Sequence, residues 1–258
     1  STRALSSAAS DVYKRQGVMY YAALLPCVIA SIIAAEFATG VGLNPETFPV
    51  ARIPQLSLES GLKMAVIAAG CGLLSILFCV ALKAVSGIYG KYLKNPYLRV
   101  CVAGCLVIGI TMLLGTGDYM GAGNELIAKA VEQGKARPLD FLWKMILTAI
   151  TMRAGYRGGE IVPAFSVGAT FGCVAGGLLG FSPEVAAAAS MVALFCGVTN
   201  CPIASMLISF ELFGFSGAAY YLIAISISYA LSGYYSLYKD QTIVYSKYKA
   251  RYINKKTH

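Results

Sequence analysis

Seven long stretches of the chain carry no charged residue, or almost none, and short polar or charged segments separate them. The stretches are residues 18–43, 64–82, 100–117, 139–152, 161–183, 185–210 and 212–238. A helix that spans a bilayer needs roughly 17–25 mostly apolar residues. The pattern therefore predicts an all-α, polytopic membrane protein.

Proline and polar residues interrupt two of the late stretches, at Pro163 and then at Asn200 and Pro202. A helix that begins inside the hydrocarbon leaves its first backbone N–H groups unpaired, which is tolerated only where that end is buried in protein or faces a cavity. Such an end also attracts anions. Residues 154–172, AGYRGGEIVPAFSVGATFG, fit a broken helix of this kind. A packed helix behind a glycine-rich loop has the same composition, so both interpretations stay open on composition alone.

Small residues recur along the helix that this segment predicts. They are Gly168, Ala169, Gly172, Ala175, Gly176 and Gly177. Small side chains let two helix backbones approach closely inside a membrane. We therefore expect this face to pack tightly against a neighbouring helix.

The composition excludes several classes of protein. Hydrophobic residues make up 57% of the chain and charged residues only 13%, with a mean hydropathy of +0.67. Soluble domains carry about 25% charged residues, and disordered chains are less hydrophobic still. The net charge of +9 comes from short loops and the C-terminal tail rather than from a continuous basic face, so we expect no nucleic-acid partner. The positive-inside rule places the tail and a basic linker at residues 83–99 on the cytoplasmic side.

Residues for catalysis or metal binding are scarce. All eight cysteines lie in apolar runs without a Cys-x-x-Cys pair, and the only histidine is His258. We therefore expect no metal, no cofactor and no enzymatic activity. Glu36, Glu160 and Glu211 are the acids close to the interiors of predicted spans. We expect Glu211 to end its helix near an interface. Glu36 could satisfy a neighbouring polar group, although an acid inside the membrane is a functional candidate.

The first sixteen residues, 1–16, differ from the rest. They lack the apolar core of a signal peptide, and DVYKRQ at 11–16 resembles a translated sequencing-library adapter. We expect native sequence to begin near Gly17. The alternative is a genuine polar N-terminal tail.

Four segments, in order along the chain, resemble the CLC family of chloride channels and proton-coupled anion antiporters. GGEIVP at 158–163, followed by AFSVGATFG, matches the glycine-rich signature of that family. ALFCGVTNCPIASMLISFELFG, from residue 193, is similar to its apolar helix, break, proline and second helix. QTIVYSKYKAR, from residue 241, resembles the segment that carries the anion-site tyrosine, and GTGDYMGAGNELIAKA, from residue 115, resembles a glycine-rich approach to a short helix.

The resemblance implies the second half of an inverted-repeat CLC fold with broken, re-entrant helices, extending over residues 17–258. An anion would lie near mid-membrane against helix N-termini. The resemblance places the anion-site helix start within 158–180 and a cytoplasmic C-terminal helix at about 241–252. The implied anion-binding residues are Gly159, Glu160, Ile161, Val162 and Tyr245. The backbone N–H groups of Glu160 and Ile161 would face the anion, and the Tyr245 hydroxyl would close the site from the cytoplasmic side.

The resemblance implies transmembrane anion transport, either chloride conduction or chloride/proton exchange. The alternative within the family is fluoride/proton antiport, because the fluoride-selective branch carries a similar Gly-Gly-Glu. A carboxylate at Glu160 is unexpected beside an anion; it could cap the helix while pointing away, or take part in proton coupling. A further alternative is a non-transporting, half-length membrane subunit, and a membrane enzyme is the weakest interpretation.

The family's loops that precede this half, including the loop with the gating glutamate, have no match in the chain. We therefore expect the chain to hold one side of the anion site and not to transport by itself. The resemblance also implies a homodimer in the lipid bilayer, formed through apolar faces within 18–38, 202–213 and 217–235. A bacterial inner membrane with a cytoplasmic C-terminus is the expected location.

Overall fold

The computed structural model describes residues 24–43, 47–50, 53–238, 241–249 and 252–257. Within them, nine helices are followed by a two-stranded hairpin. The helices are α1 (Leu24–Gly40), α2 (Leu58–Tyr92), α3 (Pro96–Leu114), α4 (Asn124–Glu132), α5 (Asp140–Ala154), α6 (Ile161–Leu178), α7 (Pro183–Thr199), α8 (Pro202–Phe213) and α9 (Ala218–Leu231). The segment 1–16 lies outside the described residues. The all-α prediction is confirmed for the helical body of the chain.

Three helices, α2, α3 and α6, are long and apolar enough to cross a membrane. Four more, α1, α7, α8 and α9, are apolar but only 12–17 residues long. Helices shorter than a full span agree with the prediction of a polytopic protein that contains broken helices.

Helix α2 is longer than its uncharged stretch. It begins with a capping box, in which Ser57 and Ser60 bond to each other's backbone N–H groups, and it runs for 35 residues to Tyr92. The predicted basic linker at 83–99 is therefore wrong, since most of it is helical. Lysine is a good helix former, and the chain leaves α2 only shortly before Pro96, the first residue of α3.

Helix α7 forms the centre of the molecule. All its residues from 185 to 199 are buried, and α2, α4, α6, α8 and α9 pack around it. The small-residue face of α6 lies against it: a Cβ atom placed on Gly168 would lie 2.6 Å from the Ser190 carbonyl oxygen. The predicted close packing is confirmed.

The break after α7 is also confirmed. Asn200 adopts a left-handed conformation, with φ of 58°, and ends the helix. Pro202 then begins α8, where its missing N–H is not needed. The uncharged stretch 185–210 is therefore two helices that meet at a sharp turn.

The tail differs from the prediction. The helix expected at about 241–252 is wrong, because Thr242–Tyr245 and Tyr252–Lys256 form antiparallel strands β1 and β2. The sequence Thr-Ile-Val-Tyr favours a strand through its β-branched and aromatic side chains. Gln241 anchors the hairpin, since its Nε2 donates to the Thr199 carbonyl at the end of α7 at 3.1 Å.

Candidate functional site

A cavity of about 740 Å³ lies where α6 begins. Its wall combines the loop before α6, the loop before α4, and side chains from α5, α7 and α8. Residues of the α6 approach that line it are Tyr156, Arg157, Gly158, Gly159, Ile161, Val162 and Pro163. Helix α5 contributes Lys144, Leu147, Thr148, Thr151 and Met152. The cavity is thus mainly apolar, with a few polar groups at the helix ends.

The loop 155–160 brings the chain from α5 into α6. Gly155 ends α5 with φ of 112°, a conformation that favours glycine. Arg99 of α3 satisfies this helix end by donating from Nε to the Ala154 carbonyl at 2.9 Å. A Cβ atom placed on Gly159 would meet no heavy atom within 4 Å, so the backbone there borders open space.

Helix α6 presents an unpaired N-terminus to this cavity. Within the described part of the chain, the backbone N–H groups of Gly159, Glu160, Ile161 and Val162 have no hydrogen-bond acceptor. Aligned peptide dipoles place about half a positive charge at such an end. Backbone donors and a partial positive charge of this kind can hold an anion, and the side chains of Lys144 and Arg157 add basic groups to the same cavity wall.

Glu160 is the one residue from 158 to 163 that does not line the cavity. Its side chain makes no capping hydrogen bond to α6. Instead its Oε1 lies 3.3 Å from Nη2 of Arg153, in the last turn of α5. The carboxylate is therefore held away from the helix N-terminus by an ion pair, a contact that the sequence did not predict.

A buried lysine, Lys144, also lines the cavity. Lys144 of α5 is only 1% exposed, and its Nζ donates to the carbonyls of Tyr119 and Gly121 at 3.0 and 2.9 Å. Ser166 of α6 donates to the Gly123 carbonyl at 3.0 Å. Together these bonds hold the glycine-rich loop before α4 against α5 and α6. A Cβ atom on Gly123, where φ is 91°, would lie 2.9 Å from Lys144 Cε, so the loop requires glycine there.

The same loop carries two carboxylate contacts outside the membrane-spanning helices. The Tyr119 hydroxyl donates to Asp140 at 2.6 Å, and burial raises the pKa of Tyr119 to about 12. Lys129 donates to Asp118 at 3.1 Å, and this bond lowers the pKa of the Asp118 carboxyl. These contacts attach the loop to the first residue of α5 and to α4.

Tyr245 lies in β1, where its backbone is opposite Tyr252. Its side chain lies outside the described residues, so the predicted contact between its hydroxyl and an anion stays a prediction. Among the described residues, no group of three His, Cys, Asp or Glu side chains is placed to hold a metal ion.

Comparison with protein families gives one match that covers most of the chain. The family model described as voltage gated chloride channel matches residues 13–233. A chloride/fluoride channel protein of Pseudomonas syringae pv. tomato is 32% identical over 240 residues, which is 90% of this chain and 52% of that protein. An H(+)/Cl(−) exchange transporter of Vibrio cholerae is 26% identical over 72% of this chain and 42% of that protein.

Solved structures show the same likeness. The crystal structure of a CLC-type fluoride/proton antiporter matches with a TM-score of 0.80 and 29% identity, over 86% of this chain and 56% of the other. A eukaryotic CLC transporter matches with a TM-score of 0.54 and 24% identity, over 69% of this chain and 33% of the other, and supports the fold alone. The chain spans about half the length of these curated relatives.

Proposed function

The chain belongs to the CLC family of voltage-gated chloride channels and transporters, and from this membership we propose that it forms one side of a transmembrane anion pathway. The observation that carries the proposal is the unpaired N-terminus of α6 at the wall of the 740 Å³ cavity. An anion would accept hydrogen bonds from the backbone N–H groups of residues 159–162. The cavity gives it room, and the partial charge of the helix end offsets the loss of its hydration.

Tyr245 completes the proposed site from the cytoplasmic side. A phenol donates a single hydrogen bond and is uncharged at neutral pH, so it can bind a halide without holding it too strongly. The support for this role is the match of its surrounding sequence to the family segment and the position of β1 beyond the end of α7.

Fluoride is supported by two of the comparisons, one of which also names chloride. The relative with 32% identity is a chloride/fluoride channel protein, and the structure with a TM-score of 0.80 is a fluoride/proton antiporter. The chloride/proton exchanger is more distant, at 26% identity. We therefore propose fluoride as the transported ion and protons as the coupled ion, with chloride as the second candidate for the transported ion.

Halide binding to the purified 258-residue chain in detergent tests the proposal. We expect saturable broadening of the fluoride NMR signal, with weaker broadening of the chloride signal. The Gly159→Val substitution should abolish the broadening of the fluoride signal, because the new side chain would occupy the open space in which the anion is proposed to bind. Gly177→Val is the matched control, since Gly177 also has open space around it but lies at the other end of α6. Equal binding by both variants would contradict the proposed site.

Transport is a separate measurement. Because these residues build one side of the site, we expect the chain alone to bind the ion without moving it across liposomes. Measured halide flux through the purified chain would contradict this expectation.

The proposed assembly is a homodimer in a bacterial inner membrane, with the C-terminal hairpin in the cytoplasm. Helix α8 supports it, because Ile203 and Leu207 are only partly buried on an apolar helix. Crosslinking at either position across a twofold axis tests the arrangement. A dimeric sample that gives no crosslink at both positions would count against it.

A further inference from the structure

The pair formed by Arg153 and Glu160 bridges the loop between α5 and α6. Arg153 lies in the last turn of α5, and Glu160 immediately precedes the first residue of α6. The two side chains are 19% and 22% exposed, so most of the contact is shielded from solvent. Ion pairs in such surroundings are screened less than pairs on an open surface.

Glu160 stands where a negative charge opposes the proposed function. The N-terminus of α6 carries about half a positive charge, and an uncompensated carboxylate beside it would repel a second anion. The carboxylate instead points to Arg153, and Glu160 is absent from the cavity wall formed by its neighbours Gly159 and Ile161. The guanidinium thus supplies the opposite charge to the Glu160 carboxylate, and Arg153, like Glu160, does not line the cavity.

From this geometry we infer that Arg153 is a positioning residue for anion binding: it neutralises Glu160 and holds its carboxylate away from the cavity, so that the α6 N-terminus remains attractive to a halide. The inference rests on the proposed function of that helix end. A purely structural role is the alternative, in which the pair only fixes the loop 155–159. The two roles predict different results. If the role is electrostatic, anion binding that is lost on removing the charge of Arg153 recovers when the charge of Glu160 is removed as well; if the role is structural, it does not recover.

A double-mutant cycle separates the two roles. Arg153→Gln leaves the Glu160 charge unpaired, and we expect the fluoride dissociation constant to rise roughly tenfold. Arg153→Gln combined with Glu160→Gln removes both charges and should return the constant to within about twofold of the unaltered chain. Arg153→Lys keeps the charge and should retain most of the binding.

The control is Lys63→Gln. Lys63 forms an ion pair with Glu59 at 2.7 Å in the first turns of α2; this pair is more exposed than the Arg153–Glu160 pair, and Lys63 does not line the cavity. The Lys63→Gln substitution should leave fluoride binding unchanged. All variants are measured in detergent by titration with sodium fluoride and by thermal melting without halide, so that a loss of folding is not counted as a loss of binding.

The outcomes are distinct. Weak binding in Arg153→Gln that the double variant restores supports the inference. A double variant that binds as weakly as Arg153→Gln, or an Arg153→Gln variant that binds like the unaltered chain, overturns the role of Arg153 while leaving the anion site in place. No binding by the unaltered chain and by Glu160→Gln overturns the proposed anion site, and the role of Arg153 with it.

Discussion

Gly168 of α6 and Ser190 of α7 approach each other so closely that there is no room for a side chain at position 168. A Cβ atom there would lie 2.6 Å from the Ser190 carbonyl oxygen and 2.9 Å from Cα of Met191. Both contacts are to backbone atoms, which cannot turn aside as a flexible side chain can. The position of α6 on the buried helix α7 depends on this contact.

The first prediction concerns this contact. Gly168→Ala should force α6 away from α7 and reduce the free energy of unfolding by about 1–3 kcal/mol, the usual cost of overpacking. Gly177→Ala is the matched control, because a Cβ atom on Gly177 of the same helix would meet nothing within 4 Å. The midpoint of thermal or denaturant unfolding in detergent measures both. Equal midpoints for the two variants would show that α6 is not held by this contact.

Local sequence features predicted the helices and the start of α6. The run of small residues predicted a tight helix contact, Pro163 and the preceding glycines predicted the beginning of a helix, and Pro202 predicted a second one. Each of these signals acts through neighbouring residues of the same segment. A pattern along the chain is therefore sufficient to find them.

The charged residues of the site could not be assigned in this way. Arg153 and Lys144 lie in or beside a stretch whose pattern predicts an apolar helix, and the contacts of both depend on segments that meet only in the folded chain. The hairpin of the tail escapes prediction for a similar reason. Alternating Thr, Ile, Val and Tyr favour a strand, but a strand needs a partner, and the pairing between Thr242 and Lys256 crosses a turn that the motif did not reveal.

The second prediction concerns the buried cation at the cavity. Lys144→Met should lower the free energy of unfolding by about 2 kcal/mol, because it leaves the carbonyls of Tyr119 and Gly121 without their donor. It should also speed hydrogen exchange of the backbone in the loop 115–123. Lys135→Met is the control, since Lys135 is exposed on a loop. If backbone hydrogen exchange in the loop 115–123 is as slow in Lys144→Met as in the unaltered chain, contacts other than those of Lys144 hold the loop.

The third prediction concerns Tyr245. Tyr245→Phe removes the hydroxyl proposed to donate to the anion, and a hydrogen bond to a charged group is worth about 1.5–3 kcal/mol, so we expect roughly tenfold weaker fluoride binding or more. Tyr248→Phe is the matched control, because the Tyr248 ring is exposed and its hydroxyl donates to the Ala230 carbonyl. Fluoride titration followed by NMR measures both. Equal affinities would remove Tyr245 from the site.

The fourth prediction concerns Lys247, which attaches the C-terminal hairpin to the helical body. Its Nζ donates to the Ser232 hydroxyl at 2.9 Å and to the Tyr229 carbonyl at 3.0 Å, and it also bonds to the Asn200 side chain. Lys247→Met removes these bonds and should loosen the hairpin, seen as faster proteolysis after residue 238. Lys249→Met is the control, because Lys249 is exposed.

The same residue predicts a dependence on pH. Burial lowers the pKa of the Lys247 ammonium from 10.5 to about 8. Between those values the unfolded chain holds a proton that the folded chain has lost, so the free energy of unfolding rises as pH increases from about 8 to about 10.5. As pH falls from 10.5 through 8, the same gain in stability disappears. Melting temperatures measured across this range should rise in Lys249→Met as in the unaltered chain, and the rise should be smaller in Lys247→Met. Parallel curves for the two variants would show that Lys247 keeps its proton in the folded chain.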